Sequence, residues 1–165
     1  NFGGHPDKNK IKGVESSTGS LGHGFPFSCG MAMAKKIKNE KGKIFTLIGD
    51  GECNEGTIWE SCMLASHHKL NNLICIVDKN KSTDRALLID DLKKKFLSFG
   101  WSSYVIDGHN EKQLIRTIQK QKEKPLVIIA NTIKGKGVSF MENNPEWHHK
   151  KIDQKAIDKF VKSLK

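Results

Sequence analysis

Two short apolar runs joined by one helix-length segment constrain this chain more than any other feature in it. Lys43-Ile44-Phe45-Thr46-Leu47-Ile48 has the length and composition of a buried parallel strand, and it stops at Gly49-Asp50-Gly51. From 55 to 70, Ile58, Trp59, Cys62, Met63, Ala65 and Leu70 recur close to helical spacing. Leu73-Ile74-Cys75-Ile76-Val77-Asp78 then forms a second buried strand that runs into Lys79-Asn80-Lys81-Ser82. The order predicts a βαβ unit. In an open parallel sheet ligands gather at the carboxyl ends of the strands, so Asp50 and Asn80 are expected on one edge.

Two hard oxygen ligands on one edge can share an ion, and magnesium suits them because it takes few protein ligands and fills its other positions with water or phosphate oxygens. Gly49 and Gly51 would let backbone N–H groups approach a phosphate, and a helix starting near residue 55 adds favourable partial charge for an anion. The residues alone thus describe a metal-diphosphate site. They equally describe a plain turn in which Asp50 caps the following helix, since Gly-Asp-Gly is a common tripeptide.

The flanking segments carry further polar loops. Asn1-Phe2-Gly3-Gly4-His5-Pro6-Asp7 is loop chemistry, and it leads to the glycine-rich Gly13-Val14-Glu15-Ser16-Ser17-Thr18-Gly19-Ser20-Leu21-Gly22-His23-Gly24. A helix follows, with Pro26 in its first turn and Cys29, Met31, Ala32, Met33, Ala34 and Ile37 along its body. After Asn80 comes a polar loop through Thr83-Asp84-Arg85, then a short helix from about Asp90 to Phe99 with Leu92, Phe96 and Leu97 inward. Trp101 to Ile106 reads as a strand closing at Asp107-Gly108-His109, where a strand-end turn is a better reading than a catalytic dyad. Asn110-Glu111-Lys112-Gln113 has the form of a capping box opening a helix with Leu114, Ile115 and Ile118 buried; Lys124-Pro125 is expected to end it. Leu126 to Asn131 is the next buried strand. Lys134-Gly135-Lys136-Gly137 and Trp147-His148-His149 follow it, suited either to phosphate binding or to a solvated linker. A last helix, opened by Asp153, carries Ala156, Ile157, Phe160, Val161 and Leu164.

Gly49-Asp50-Gly51-Glu52-Cys53-Asn54-Glu55-Gly56-Thr57-Ile58-Trp59-Glu60, followed by Asn72-Leu73 and Val77-Asp78-Lys79-Asn80, resembles the thiamine diphosphate motif of transketolases. The likeness is nearest to the separately encoded N-terminal subunit of split bacterial transketolases. The resemblance implies that Asp50 and Asn80 ligate Mg2+ through their side chains, that Ser82 adds its backbone carbonyl, and that Gly51 binds the diphosphate through its N–H. By the same resemblance His5 contacts the sugar substrate, Gly19 and Leu21 touch the cofactor rings, and His148 approaches both diphosphate and substrate. Glu55 and Glu60 resemble glutamates near the interface between two active sites, as proton relays. His23 stands where the family usually carries glutamine and has no assigned role; His149 replaces a usual glycine.

The resemblance spans nearly the whole chain and implies an α/β fold with a doubly wound, mostly parallel sheet. Residues 1–165 then form a single diphosphate-binding domain that lacks the first part of the family domain. The implied activity is transfer of a two-carbon ketol unit between sugar phosphates. It needs a partner subunit carrying the pyrimidine domain and C-terminal domain, in a homodimer or heterotetramer, and the chain alone should be inactive. Decarboxylation of a 2-oxo acid and a non-catalytic scaffold are the other readings.

Composition bears mainly on exclusions. The formal charge of +10 comes from 28 basic against 18 acidic residues, but the lysines are scattered without interleaved aromatics, so nucleic-acid binding is not expected. Cys29, Cys53, Cys62 and Cys75 lack the close pairs of zinc or redox motifs and are expected to be buried thiols. No apolar run reaches membrane-span length and there is no signal-like segment, which makes a cytoplasmic setting the expectation.

Overall fold

Four parallel strands stand in the order β1-β2-β4-β3, and helices pack on both faces of the sheet they form. This architecture is seen in a computed structural model that describes residues 3–84, 87–150 and 152–163. Asn1, Phe2, Arg85 and Leu164, named above, lie outside the described residues. The chain runs α1 (Gly24–Ile37), β1 (Ile44–Gly49), α2 (Gly56–His67), β2 (Leu73–Lys79), α3 (Leu92–Ser98), β3 (Ser102–Asp107), α4 (Glu111–Ile118), β4 (Leu126–Asn131) and α5 (Gln154–Ser163). The expected doubly wound α/β fold is therefore present, and every strand pairing in it is parallel.

Register places the strand ends level with one another. Gly49 is opposite Asp78, Lys79 is opposite Asn131, and Asn131 is opposite Asp107. Each strand thus hands its following loop to the same edge.

Two apolar layers hold the sheet. Phe25 and Cys29 from α1, Ile58 and Cys62 from α2, and Leu92 and Phe96 from α3 pack on one face with Ile48, Val77, Ile129 and Trp101. The Trp101 indole N–H donates to Cys62 O at 3.0 Å, so this large ring is buried with its polar atom satisfied. On the other face Ile74, Ile106, Leu126 and Ile128 pack beneath Leu114 and Ile118 of α4.

Several expectations need correction. β1 is not buried on both faces: Ile44, Thr46 and Ile48 point into the core, whereas Phe45 and Leu47 are exposed. The reason is topological, because α4 packs over β3 and β4 and leaves the same face of the edge strand β1 open. A cleft of about 770 Å3 lies there, lined by Phe45, Leu47, Phe27 and Met31 among others. Leu97 and Ile115 are also exposed rather than inward. Each follows a core-facing residue by one position, which turns it about 100° away from the buried stripe at 3.6 residues per turn.

The capping box of α4 is half formed. Asn110 Oδ1 accepts Gln113 N–H at 3.0 Å, but the Gln113 side chain takes Asp107 N–H at 3.1 Å instead of returning to Asn110. α4 then ends at Ile118, before Lys124-Pro125. In α5, Asp153 caps as expected, while Ile157 and Val161 are exposed and Phe160 stacks on Phe140 and meets Trp147 edge-on.

The difference between adjacent positions on α3 is directly measurable. Phe96→Ala should cost about 3–5 kcal/mol of unfolding free energy in a urea titration, and Leu97→Ala less than about 1 kcal/mol.

Candidate functional site

The strand edge is assembled by backbone N–H groups captured by acidic side chains. Between β1 and α2 the chain makes a 3-10 turn, Asp50–Asn54, whose third position is Glu52. One Glu52 oxygen accepts Gly49 N–H at 3.0 Å and the other accepts Gly22 N–H at 2.9 Å. Thr57 Oγ1 donates to Gly22 O at 3.0 Å, so the glycine-rich segment is pinned to the turn through both of its backbone groups. Only glycine fits at 22: its φ is +75°, and a Cβ would stand 2.6 Å from Glu55 Cβ. Glu52 was not among the candidate residues. The sequence signal for it is the three-residue spacing from Gly49, which has the form of a capping box without a capping hydroxyl.

Asp50 is 1% exposed and does not cap the following helix. It instead reaches across to the loop after β2, accepting Lys81 N–H at 2.6 Å on one oxygen and the Thr83 hydroxyl at 3.4 Å on the other. Gly51 is held under the same loop, where a Cβ would meet Thr83 Cγ2 at 2.5 Å. Asn80 and Ser82 belong to this loop. Asn80 Oδ1 accepts Ser82 N–H at 3.0 Å, and Asn80 Nδ2 donates to Asp78 at 2.8 Å. The structure therefore brings together Asp50, Gly51, Asn80 and Ser82, four of the residues expected to bind metal and diphosphate.

Electrostatics at this point favours a cation. Burial raises the Asp50 carboxyl above the ordinary aspartate range, backbone N–H groups of Lys81 and Gly51 oppose that, and the negative charges of Asp78 and Asp84 raise it further. Among the described residues no lysine, arginine or histidine makes an ion pair with it. Nor do three His, Cys, Asp or Glu side chains converge anywhere among them, as a zinc centre would require. The available donors are a carboxylate, a carboxamide oxygen and a backbone carbonyl. That set fits magnesium, which completes its octahedron with water or phosphate oxygens.

His5 lies with its ring against Gly19: a Cβ at Gly19 would be 3.1 Å from the His5 ring, and Gly19 has φ +150°. Leu21 is exposed on the next turn, and its carbonyl accepts the His23 ring N–H at 2.9 Å. A second basic group forms after β4. Ile133 N–H donates to His109 Nε2 at 2.9 Å, while His109 N–H donates to Asp107 Oδ1 at 2.9 Å, the strand-end turn expected there. The loop then folds back, with Asn143 N–H on Lys134 O at 2.9 Å, and brings Lys134 Nζ to 3.1 Å from His148 Nδ1. Glu55, at the N-cap of α2, and Glu60, within it, are exposed and have no hydrogen-bond partners for their carboxylates among the described residues. The four cysteines are all buried, as expected, and burial pushes Cys29 and Cys53 up to about 12 and raises Cys62 and Cys75 well above the ordinary thiol range, which makes them inert thiols.

Residues 1–164 match the family model described as "Transketolase, thiamine diphosphate binding domain". The chain belongs to the transketolase family. Its curated relatives include one of the subunits of an apulose-4-phosphate transketolase from Actinobacillus succinogenes, 43% identical over 98% of this chain and 61% of the relative. A 6-deoxy-6-sulfo-D-fructose transketolase subunit from a Clostridium species is 38% identical over 97% of this chain and 61% of its own length. The solved transketolase of Campylobacter jejuni superposes with a TM-score of 0.83 at 33% identity, covering 92% of this chain and 26% of that enzyme. This transketolase-family chain thus spans about three-fifths of the subunit relatives it matches.

Two outcomes test the site's construction. Glu52→Ala leaves two N–H groups without acceptors and should lower stability by about 2–4 kcal/mol, with Glu52→Gln, which keeps one acceptor oxygen, losing about half as much in the same denaturation measurement. For Asp50 the folded state holds its proton more tightly than the unfolded state, so the wild-type protein loses stability as pH rises from the ordinary aspartate range through the raised value. Asp50→Asn removes that loss and can still accept Lys81 N–H. Without divalent cations, it should melt no lower than wild type at neutral pH. Saturating Mg2+ and thiamine diphosphate at about 100 times Kd should raise the wild-type Tm by about 5–11 °C and leave the variant unmoved.

Proposed function

We propose that this chain is the thiamine diphosphate- and magnesium-binding part of a transketolase-like transferase that moves a two-carbon ketol unit between sugar phosphates. The observation that carries the reading is the buried Asp50 carboxylate, which shares a strand edge with Asn80 and Ser82 and has no cationic side-chain partner among the described residues. Family membership supports the cofactor, and the subunit relatives support a partner chain.

In this proposal Asp50 and Asn80 ligate Mg2+ through side-chain oxygens, Ser82 through its carbonyl, and Gly51 N–H takes a diphosphate oxygen. Gly19 and Leu21 line the ring side of the cofactor. Bound thiamine diphosphate supplies the electron sink for carbon–carbon cleavage and formation, while the protein binds, orients and handles protons. His148 and Lys134 form the anion-facing side: with Lys134 donating to Nδ1, the neutral His148 ring carries its proton on Nε2, free to donate to a phosphate or substrate oxygen. His5, held against Gly19, is placed to donate to a sugar hydroxyl or carbonyl.

Glu55 and Glu60 are assigned to proton relays across a subunit interface. Support comes from the exposed side of α2, where Met63 and Leu64 are also open to solvent. The partner would bring the pyrimidine-binding domain and complete two sites in a homodimer or heterotetramer. A 2-oxo acid decarboxylase would use the same Asp50 and Asn80, but His5 and His148 argue for sugar chemistry.

Calorimetric titration of thiamine diphosphate, with Mg2+ and then with chelator, tests the reading. Binding should require Mg2+ and be lost in Asp50→Ala, and ketol transfer should appear only when the pyrimidine-domain subunit is added. Mg2+-independent binding would overturn the metal assignment, and transfer by the chain alone would overturn the need for a partner.

A further inference from the structure

Asn80 reaches its expected metal through a carboxamide, whose two ends are nearly identical in shape and opposite in chemistry: the oxygen ligates and the NH2 repels. Something must therefore fix which end faces the ion. The structure contains a chain of contacts suited to that task, and none of its outer members was singled out from the sequence as a site residue.

Asp78 is the penultimate residue of β2, and one of its oxygens accepts Asn80 Nδ2–H at 2.8 Å. Its other oxygen accepts the hydroxyl of Thr132, the first residue after β4. Thr132 is itself fixed by its backbone N–H, which donates to Lys79 O at 3.1 Å. At the far end, Asn80 Oδ1 accepts Ser82 N–H at 3.0 Å. Rotating the carboxamide by half a turn would set Oδ1 against the Asp78 carboxylate and Nδ2 against Ser82 N–H. Two acceptors would then face each other, and two donors. Each is a lost hydrogen bond in a half-buried setting, so the network allows one orientation only.

We propose that Asp78 and Thr132 are positioning residues for the cofactor metal: the Thr132 hydroxyl holds the Asp78 carboxylate, and Asp78 holds the Asn80 carboxamide with its oxygen available to the ion. The proposal rests on the cofactor reading above. It assigns to the end of β4 a part in metal binding although no residue of β4 touches the metal. It also gives the β2–β4 register a functional consequence, because Asp78 is level with Ala130 and Lys79 with Asn131, two and one residues before Thr132. A slip of one residue would move the hydroxyl away from the carboxylate.

Thr132 offers a clean separation of hydroxyl from shape. Thr132→Val keeps the volume and loses the donor; Thr132→Ser keeps the donor and loses a methyl group. A packing role predicts that Ser is the more damaging change, and the positioning role predicts Val. Asp78→Asn serves as the charge control, since it neutralises the site yet retains an oxygen for the Asn80 amide. Asp78→Ala removes both.

The test is Mn2+ binding in the presence of thiamine diphosphate, read by loss of the free-ion paramagnetic resonance signal, on the full protein with its partner subunit. The melting temperature of each variant is recorded alongside. Thr132→Val and Asp78→Ala should weaken Mn2+ about 10- to 100-fold, the usual consequence of losing a group that orients a metal ligand. Thr132→Ser should remain within about threefold of wild type, and Asp78→Asn should fall between wild type and Asp78→Ala. Equal affinity in Thr132→Val and wild type, or a greater loss in Thr132→Ser than in Thr132→Val, overturns the positioning role while leaving the cofactor reading intact. Failure of the wild-type protein to bind Mn2+ overturns both.

Discussion

The level register of four parallel strands is the constraint on which the remaining structure depends. Parallel pairing obliges the chain to cross over between strands, and each crossover returns it to the starting edge, so the loop after each strand leaves from the opposite one. Gly49, Asp78, Asp107 and Asn131 mark that edge within one or two rungs of each other. The loops that follow are then short enough to hydrogen-bond across strands: Asp50 to Lys81, Thr132 to Asp78, Ile133 to His109. The polar contacts are built at the ends of strands whose middles are mostly apolar.

Those cross-strand bonds have an electrostatic cost. Asp50 is buried beside Asp78 and Asp84, and the sum of desolvation and repulsion exceeds what two backbone N–H groups return, since its carboxyl titrates high. Such an arrangement makes little sense as a device for holding a fold together. It is consistent with the proposal that this edge holds a positive ion, whose charge would offset that repulsion. The glycine-rich segment is attached to the same point by Glu52, so the loop that carries Gly19 and Leu21 is positioned by the residue next but one to Asp50.

Much of this was legible in the sequence, and the parts that were not have identifiable reasons. The strands and the common edge of Asp50 and Asn80 followed from apolar runs and from the rule for parallel edges, and the buried cysteines from their spacing. Resemblance supplied the cofactor, which spacing left open against a simple turn. Helix faces were read less well: Leu97 and Ile115 are apolar residues beside the buried stripe, and an apolar residue at a stripe's margin carries no mark of which side it falls on. The open face of β1 depends on where α4 lands, a tertiary fact absent from the local pattern. Glu52, Asp78 and Thr132 were missed as site residues because their importance lies in what they hold, and hydrogen bonds between segments distant in sequence leave no local signature.

The four cysteines, finally, give this chain a built-in reporter. Cys29, Cys53, Cys62 and Cys75 come from α1, the turn after β1, α2 and β2, and all lie in the same apolar layer with their thiols held firmly protonated. An alkylating reagent needs thiolate and access, and the folded core denies both. Labelling therefore proceeds only through opening of that layer, and its rate reads how often the layer opens under native conditions, separately for each segment once the modified peptides are identified. If the strand edge takes up the proposed cofactor, a stabilising effect relayed through the turn that holds Cys53 would register as slowed labelling in the interior, with no residue mutated.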